Sequence, residues 1–255
     1  MTARRRLDAE LVRRGLAESR SRATEIIGAG RVLVGGAVAT KPARMVAPDE
    51  PVLVQDEPPP YVSRGGRKLA AALDRWPIVM AGRRVIDVGS STGGFTDCAL
   101  QHGAAEVVAI DVGRAQLHER LRRDERVAVH ERTNVRGLDP GTVGGPGDVV
   151  VSDLSFISLR TVAPDLVRLC RRGGDLVVLV KPQFEVGREQ ASKGKGVIRD
   201  PALWRMAIHG VMDAFFRVGA VMMGVMPSPI TGARGNVEFL AHFRAPTTAP
   251  PSGTA

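Results

Sequence analysis

An α/β chain, a doubly wound sheet preceded by a small α+β domain, is predicted by three observations. Apolar segments at 84–88, 107–111, 127–129, 148–152 and 175–180 alternate with helical material, the pattern of a parallel sheet covered on both faces. The run Val85-Ile86-Asp87-Val88-Gly89-Ser90-Ser91-Thr92-Gly93-Gly94-Phe95-Thr96 takes an apolar strand into a glycine-rich turn and then into a helix. A chain of 255 residues, 44% hydrophobic, is long enough for one such domain and a second, smaller one.

The elements follow in order. Leu7, Leu11 and Val12 mark one face of a first helix that Gly15 stops. Ala23, Ile26 and Ile27 mark a second, beginning near Ser19 or Ser21 and ending at Gly28 or Gly30. Arg31-Val32-Leu33-Val34, the turn Gly35-Gly36 and Ala37–Thr40 read as a tight hairpin, with Val52-Leu53-Val54 as a further strand. Residues 1–44 hold ten Lys and Arg against four acids, most of the formal charge of +9, so this end faces a polyanion. Glu57-Pro58-Pro59-Pro60 opens a stiff linker, placed at 58–66 between a domain at 1–57 and another at 67–245. Two more strands are expected at 219–226 and 237–243, a loop at 137–147 and a disordered tail at 246–255.

Spacing in the glycine turn narrows the ligand. Amides are laid on a pyrophosphate by G-x-G-x-x-G, whereas Gly89, Gly93 and Gly94 give G-x-x-x-G-G behind Asp87. No Gly-Lys-Ser/Thr follows to make a phosphate loop. The next strand, Val107-Val108-Ala109-Ile110, ends at Asp111, placed to accept hydrogen bonds from ribose hydroxyls. A nucleoside cofactor without a pyrophosphate fits this pair of features, and S-adenosylmethionine is one. Asn134, after the third strand, is a candidate for the adenine region.

Lysine usage points to the chemistry. Of 36 cationic side chains only Lys41, Lys68, Lys181, Lys193 and Lys195 are lysines, so generic positive charge is written as arginine. Arginine does not give up its proton in a protein, whereas a buried lysine can serve as a base or steer a hydroxyl. Lys181 follows Leu176-Val177-Val178-Leu179-Val180 and Asp153 follows Val149-Val150-Val151-Ser152, so both are expected at strand tips in one cleft. Lys193 and Lys195, in Ser192–Gly196, read either as a loop closing on a substrate or as an ordinary exposed loop.

Two resemblances extend this reading. Arg6-Leu7-Asp8, Leu11, Gly15-Leu16, Ser19-Arg20, Ala23, Ile27, Gly30, Val32, Val34, Gly36 and Lys41-Pro42 resemble the RNA-binding module named after small-subunit ribosomal protein four. That resemblance implies RNA contacts by a helical face bearing Arg4, Arg6, Arg20 and Arg22, with Lys41. The segments Ser63–Leu69, Asp87–Phe95, Asp111-Val112-Gly113, Ser152–Phe156, Val180–Glu185, Lys195-Gly196-Val197 with Arg199-Asp200, and Gly235–Phe239 resemble FtsJ-type ribose methyltransferases. They resemble more closely the TlyA family of rRNA 2′-O-methyltransferases, historically labelled haemolysins. The resemblance implies a Rossmann-like class I methyltransferase sheet using S-adenosylmethionine, with a catalytic tetrad of Lys68, Asp153, Lys181 and Glu238. It also implies cofactor contacts from Asp87, Gly89, Ser91, Thr92, Gly93, Gly94, Phe95, Asp111, Val112, Asn134 and Asp153. RNA contacts would include Arg64 and Arg67, and the implied substrate is cytidine in 16S rRNA, 23S rRNA or both, free or in ribosomal subunits.

Composition excludes other classes. Cys98 and Cys170 form no CxxC, and no metal-type cluster or relay spacing occurs among the five histidines. No apolar run approaches the ~18 residues of a spanning helix, and the basic start leads into no signal-like stretch, so a cytoplasmic location is expected. The rival classes are a non-catalytic RNA-binding factor and, from the family's old label, a membrane-lytic protein. Oligomeric state is left open, a monomer included.

Overall fold

In the computed structural model, which describes residues 4–55, 59–187 and 196–248, the chain divides between Pro59 and Pro60. The break is narrower than the linker expected at 58–66, of which Pro58 lies outside the described residues. Tyr61 and Val62 are apolar, pack half-buried against the core of the second unit, and Val62 N–H donates to Asp97 Oδ2 at 2.8 Å. They therefore fold with that unit, and Gly65 already opens a helix.

The first unit runs β1 (Arg5–Arg6), α1 (Leu7–Arg13), α2 (Arg20–Gly28), β2 (Val32–Val34), β3 (Ala37–Val38), β4 (Met45–Val46) and β5 (Val52–Val54). Ser19 caps α2 by accepting from Arg22 N–H, as its position before the apolar repeat requires. Leu7, Leu11, Ala23, Ile26, Ile27, Val32, Val34, Ala39 and Val46 form its core. Strands β3-β2-β5 make one sheet; β1 and β4, too short for a sequence pattern, pair as Arg5↔Val46 and Arg6↔Met45.

This pairing corrects one expectation. Arg4 and Arg6 lie before α1 rather than on a helical face, because strand pairing holds the chain extended up to Arg6. Arg6 and Arg20 both bind the buried Asp8 carboxylate, at 3.0 and 2.8 Å. The Arg6 bond is the main reason Asp8 is pulled down to about 2. Arg13, then Arg14, hold the buried Glu10 at about 2 as well, and Arg22 pairs with Glu25. Much of this unit's arginine thus ties down its own acids, while the outer guanidinium edges of Arg6 and Arg20 stay half-exposed.

The second unit contains α3 (Gly65–Arg75), β6 (Arg84–Val88), α4 (Gly94–Gln101), β7 (Glu106–Ile110), α5 (Glu119–Arg122), β8 (Val127–His130), β9 (Gly147–Ser152), α6 (Leu159–Arg168), β10 (Cys170–Val180), α7 (Pro182–Glu185), α8 (Pro201–Arg217), β11 (Val221–Pro227) and β12 (Phe239–Arg244). The seven strands lie in the order β11-β12-β10-β9-β6-β7-β8. The five from β10 to β8 are parallel; β12 pairs antiparallel with both β10 and β11, so β11 at the edge runs in the same direction as those five. Alternate residues feed two cores: Ile86, Val88, Val108 and Ile110 pack with α6 and α8, while Val85, Val107 and Ala109 pack with α3 and α4. Burial on both faces is why these strands read as unbroken apolar runs.

Strand β10 begins five residues before the segment expected at 175–180; Cys170 pairs Gly147 and the register then shifts before Asp175. Of the tail expected from 246, residues 249–255 lie outside the described part, as do Lys193 and Lys195.

Candidate active site

The order of connections reverses between β6 and β9, and the crevice beyond the carboxyl ends of such neighbours is where open α/β sheets bind ligands. Val88 pairs Ser152 across this boundary, so Gly89 and Asp153 emerge side by side. Gly89 has φ +85°, and a Cβ there would lie 2.8 Å from the Asp153 carbonyl oxygen; only glycine turns this corner so close to the next strand. Lys181 follows β10 directly, and β10's last residue Val180 pairs Phe239. Because β12 runs antiparallel, its first residues reach the edge where the parallel strands end. Glu238, immediately before β12, is thereby delivered to the same place.

Lys68 arrives from α3. A Cβ on Gly94 would sit 2.8 Å from Gly66 N, so the glycines let α3 seat its first turn against that of α4. Lys68 is thereby aimed at the strand tips. Its Nζ donates to Glu238 Oε2 at 2.8 Å and to Asp153 Oδ2 at 3.3 Å. Lys181 Nζ lies 2.6 Å from Asp153 Oδ1, a close ion pair off the aligned hydrogen-bond direction, and donates to Ser155 Oγ at 2.8 Å. Glu238, Lys68, Asp153 and Lys181 thus alternate in sign along one chain of contacts. Lys68 and Lys181 are each only 8% exposed.

Two cavities meet at Gly89, Ser91, Asp153 and Ser155. One, of about 310 Å³, is polar and holds all four charged side chains together with Ser63, Arg64, Thr92, Gly94, Phe95, Thr231 and Gly232. The other, of about 440 Å³, is lined by Asp111, Val112, Asn134, Leu154, Phe156 and Ile157 among others. Asp111 accepts Ser91 N–H on one oxygen and Gly113 N–H on the other, which fixes its carboxylate at the wall. Phe156, 92% exposed with φ +66°, stands at the rim.

Gly89, Ser91, Thr92, Gly94, Phe95, Asp111, Val112, Asn134 and Asp153, expected to contact a cofactor, line the cavities, and so does Arg64. Asp87 and Gly93 do not. Gly93, at φ +96°, backs onto Leu117 and Leu121, so it serves packing behind the turn. Asp87 is fully buried and accepts from Thr96 Oγ at 2.7 Å, bracing the turn from beneath. Arg67 is exposed on α3 and lines neither cavity. Ser155, Ile157, Thr231 and Gly232 also line the cavities; nothing in the sequence singles them out except, for Ser155, a hydroxyl two positions after Asp153.

Burial pushes the Asp87 carboxyl up to about 7, against the pull of its Thr96 bond. The folded protein therefore retains a proton that the unfolded chain gives up near its ordinary value of 3.8. Stability from this group is full below about pH 4 and falls as pH rises to about 7, by a few kcal/mol at most. Asp87→Asn is expected to raise the melting temperature relative to the parent more at pH 8 than at pH 5. An equal difference at both pH values would contradict that.

The sheet order, the crevice cavities and the lysine–carboxylate chain define the class, an FtsJ-like methyltransferase domain. The model of that family matches residues 61–245, and the S4 domain model matches residues 5–52. The chain is 51% identical to the Mycobacterium tuberculosis 16S/23S rRNA (cytidine-2′-O)-methyltransferase TlyA over 97% of its own length and 92% of that relative's. It is 40% identical to Hemolysin A of Brachyspira hyodysenteriae, across 93% of this chain and 99% of the other. The chain belongs to the TlyA family of FtsJ-like methyltransferases. A solved structure named "Putative hemolysin from Streptococcus thermophilus" has 37% identity, covers 98% of this chain and 91% of its own, and superposes with a TM-score of 0.72. Among the described residues no helix is long and apolar enough to cross a membrane.

Proposed function

We propose that this chain transfers the methyl group of S-adenosylmethionine to the ribose 2′-hydroxyl of cytidine in 16S rRNA, 23S rRNA or both, in the cytoplasm. The observation that carries the proposal is the convergence of Lys68, Asp153, Lys181 and Glu238 on one polar cavity beside the glycine turn.

The residues present fit the cofactor. Asp111 offers a fixed carboxylate to ribose hydroxyls, and Val112, Asn134, Leu154 and Ile157 give a largely apolar wall for the adenine. Gly89, Ser91, Thr92, Gly94 and Phe95 would pass the methionyl end into the polar cavity. When bound, the cofactor supplies a methyl group already activated on a sulfonium. What remains for the protein is to hold a poor nucleophile in line and to remove or steer one proton. Lys181 would take that proton from the 2′-hydroxyl. Asp153 would hold Lys181 and balance charge, and Lys68, held by Glu238, would orient the hydroxyl. Arg4, Arg6, Arg20, Arg22 and Lys41 of the first unit, with Arg64 and Arg67, would meet RNA phosphates.

The test is to incubate the full chain and S-adenosylmethionine carrying a labelled methyl with ribosomal subunits lacking the modification. The expected product is a cytidine 2′-O-methyl, read as an alkali-resistant dinucleotide. Label on a base, or on protein alone, would overturn the proposal.

A further inference from the structure

Among the described residues Ser155 is the one hydroxyl bonded to the Lys181 amine. It stands two residues beyond Asp153 on the same strand-tip segment, is itself exposed, and lines both cavities. A neutral lysine nitrogen carries two N–H bonds and one lone pair, set tetrahedrally around the bond to Cε. Ser155 Oγ accepts one N–H at 2.8 Å, and the Asp153 carboxylate, its Oδ1 2.6 Å away off the aligned hydrogen-bond direction, attracts the other. Once both are engaged, the direction of the third position is fixed, and that position is the lone pair. With Asp153 alone, the nitrogen can turn about the Cε–Nζ bond and offer the reacting hydroxyl an N–H, which cannot accept a proton.

We propose that Ser155 is a positioning residue for methyl transfer, whose hydroxyl locks the Lys181 amine with its lone pair toward the substrate hydroxyl. The inference rests on the reading of Lys181 as the proton-accepting group. The proton passes from the 2′-hydroxyl to Nζ as the oxygen–carbon bond forms and the carbon–sulfur bond breaks. Ser155 keeps its own proton throughout and is neither consumed nor charged.

The experiment compares Ser155→Ala, Ser155→Thr and Lys181→Ala in the full chain, with ribosomal subunits and labelled S-adenosylmethionine, using single-turnover rates and KM for each substrate. Misdirection of a reacting group costs up to about 10²-fold, so Ser155→Ala is expected to lower the rate about 10- to 100-fold with both KM values changed less than about twofold. Ser155→Thr, which keeps a hydroxyl at an exposed site, is expected to recover most of that loss. An unchanged rate in Ser155→Ala, a defect confined to KM for S-adenosylmethionine, or a threonine variant no better than alanine would each overturn the inference. Those results leave the assignment of Lys181 standing if Lys181→Ala is inactive. Full turnover by Lys181→Ala would remove that assignment and this inference with it.

Discussion

Lys181→Ala is expected to lower the rate of methyl transfer by about three orders of magnitude, the usual range for loss of a positioned acid–base group, while S-adenosylmethionine still binds. The fold should survive, because Asp153 keeps Lys68 as a partner at 3.3 Å and no buried carboxylate is left alone. The cavity beside Asp111, assigned above to the adenosine, is lined without Lys181, so calorimetric affinity for the cofactor should change little. Lys181→Arg separates charge from proton transfer: it preserves a cation beside Asp153 but cannot accept a proton. It is expected to be nearly as inactive as alanine. An arginine variant with substantial turnover would mean that Lys181 supplies only charge.

Lys68→Met is expected to fail in a different way. Lys68 is the partner of Glu238, which is 3% exposed, and removing one member of a buried pair leaves the other charge stranded at a cost of about 3–5 kcal/mol. The single variant should therefore lose stability as well as activity. Pairing it with Glu238→Gln removes the stranded charge, so the double variant should regain most of the lost stability in urea denaturation and none of the activity. Equal destabilisation of the double and single variants would show that Glu238 does not depend on Lys68.

The two lysines thus sit in one chain of contacts with different dependencies. Lys181 is anchored by Asp153 and a hydroxyl, whereas Lys68 bridges two acids. The catalytic loss is shared, but only one substitution is expected to weaken the fold.

Much of this site was legible before any coordinates. The strands of the parallel sheet announce themselves as apolar runs because both faces are buried, and Gly89, Asp111, Asp153 and Lys181 are strand-tip residues whose placement follows from the strands. Asp87 and Gly93 belong to the same motif, and membership of it is all that marks them as ligand contacts in the sequence. Periodicity carries no information on whether a motif residue faces the crevice or the helix behind it; Asp87 faces Thr96 and Gly93 faces Leu117 and Leu121. The N-terminal arginines illustrate the same limit, since charge counting does not reveal that Asp8 and Glu10 are buried and claim four of them.

By itself the sequence determined the alternation of strands and helices, the glycine turn, the scarcity of lysine and the strand tips from which Asp153 and Lys181 emerge. These are local properties, written in hydrophobic period and turn chemistry. Only the tertiary structure decided that Lys68 bridges Glu238 and Asp153, and that Ser155 accepts from Lys181. Lys68 and Glu238 are 170 positions apart and are joined by the antiparallel return of β12 and the close seating of α3 on α4. Contacts between such distant segments follow from how elements pack, and no pattern confined to either segment encodes them.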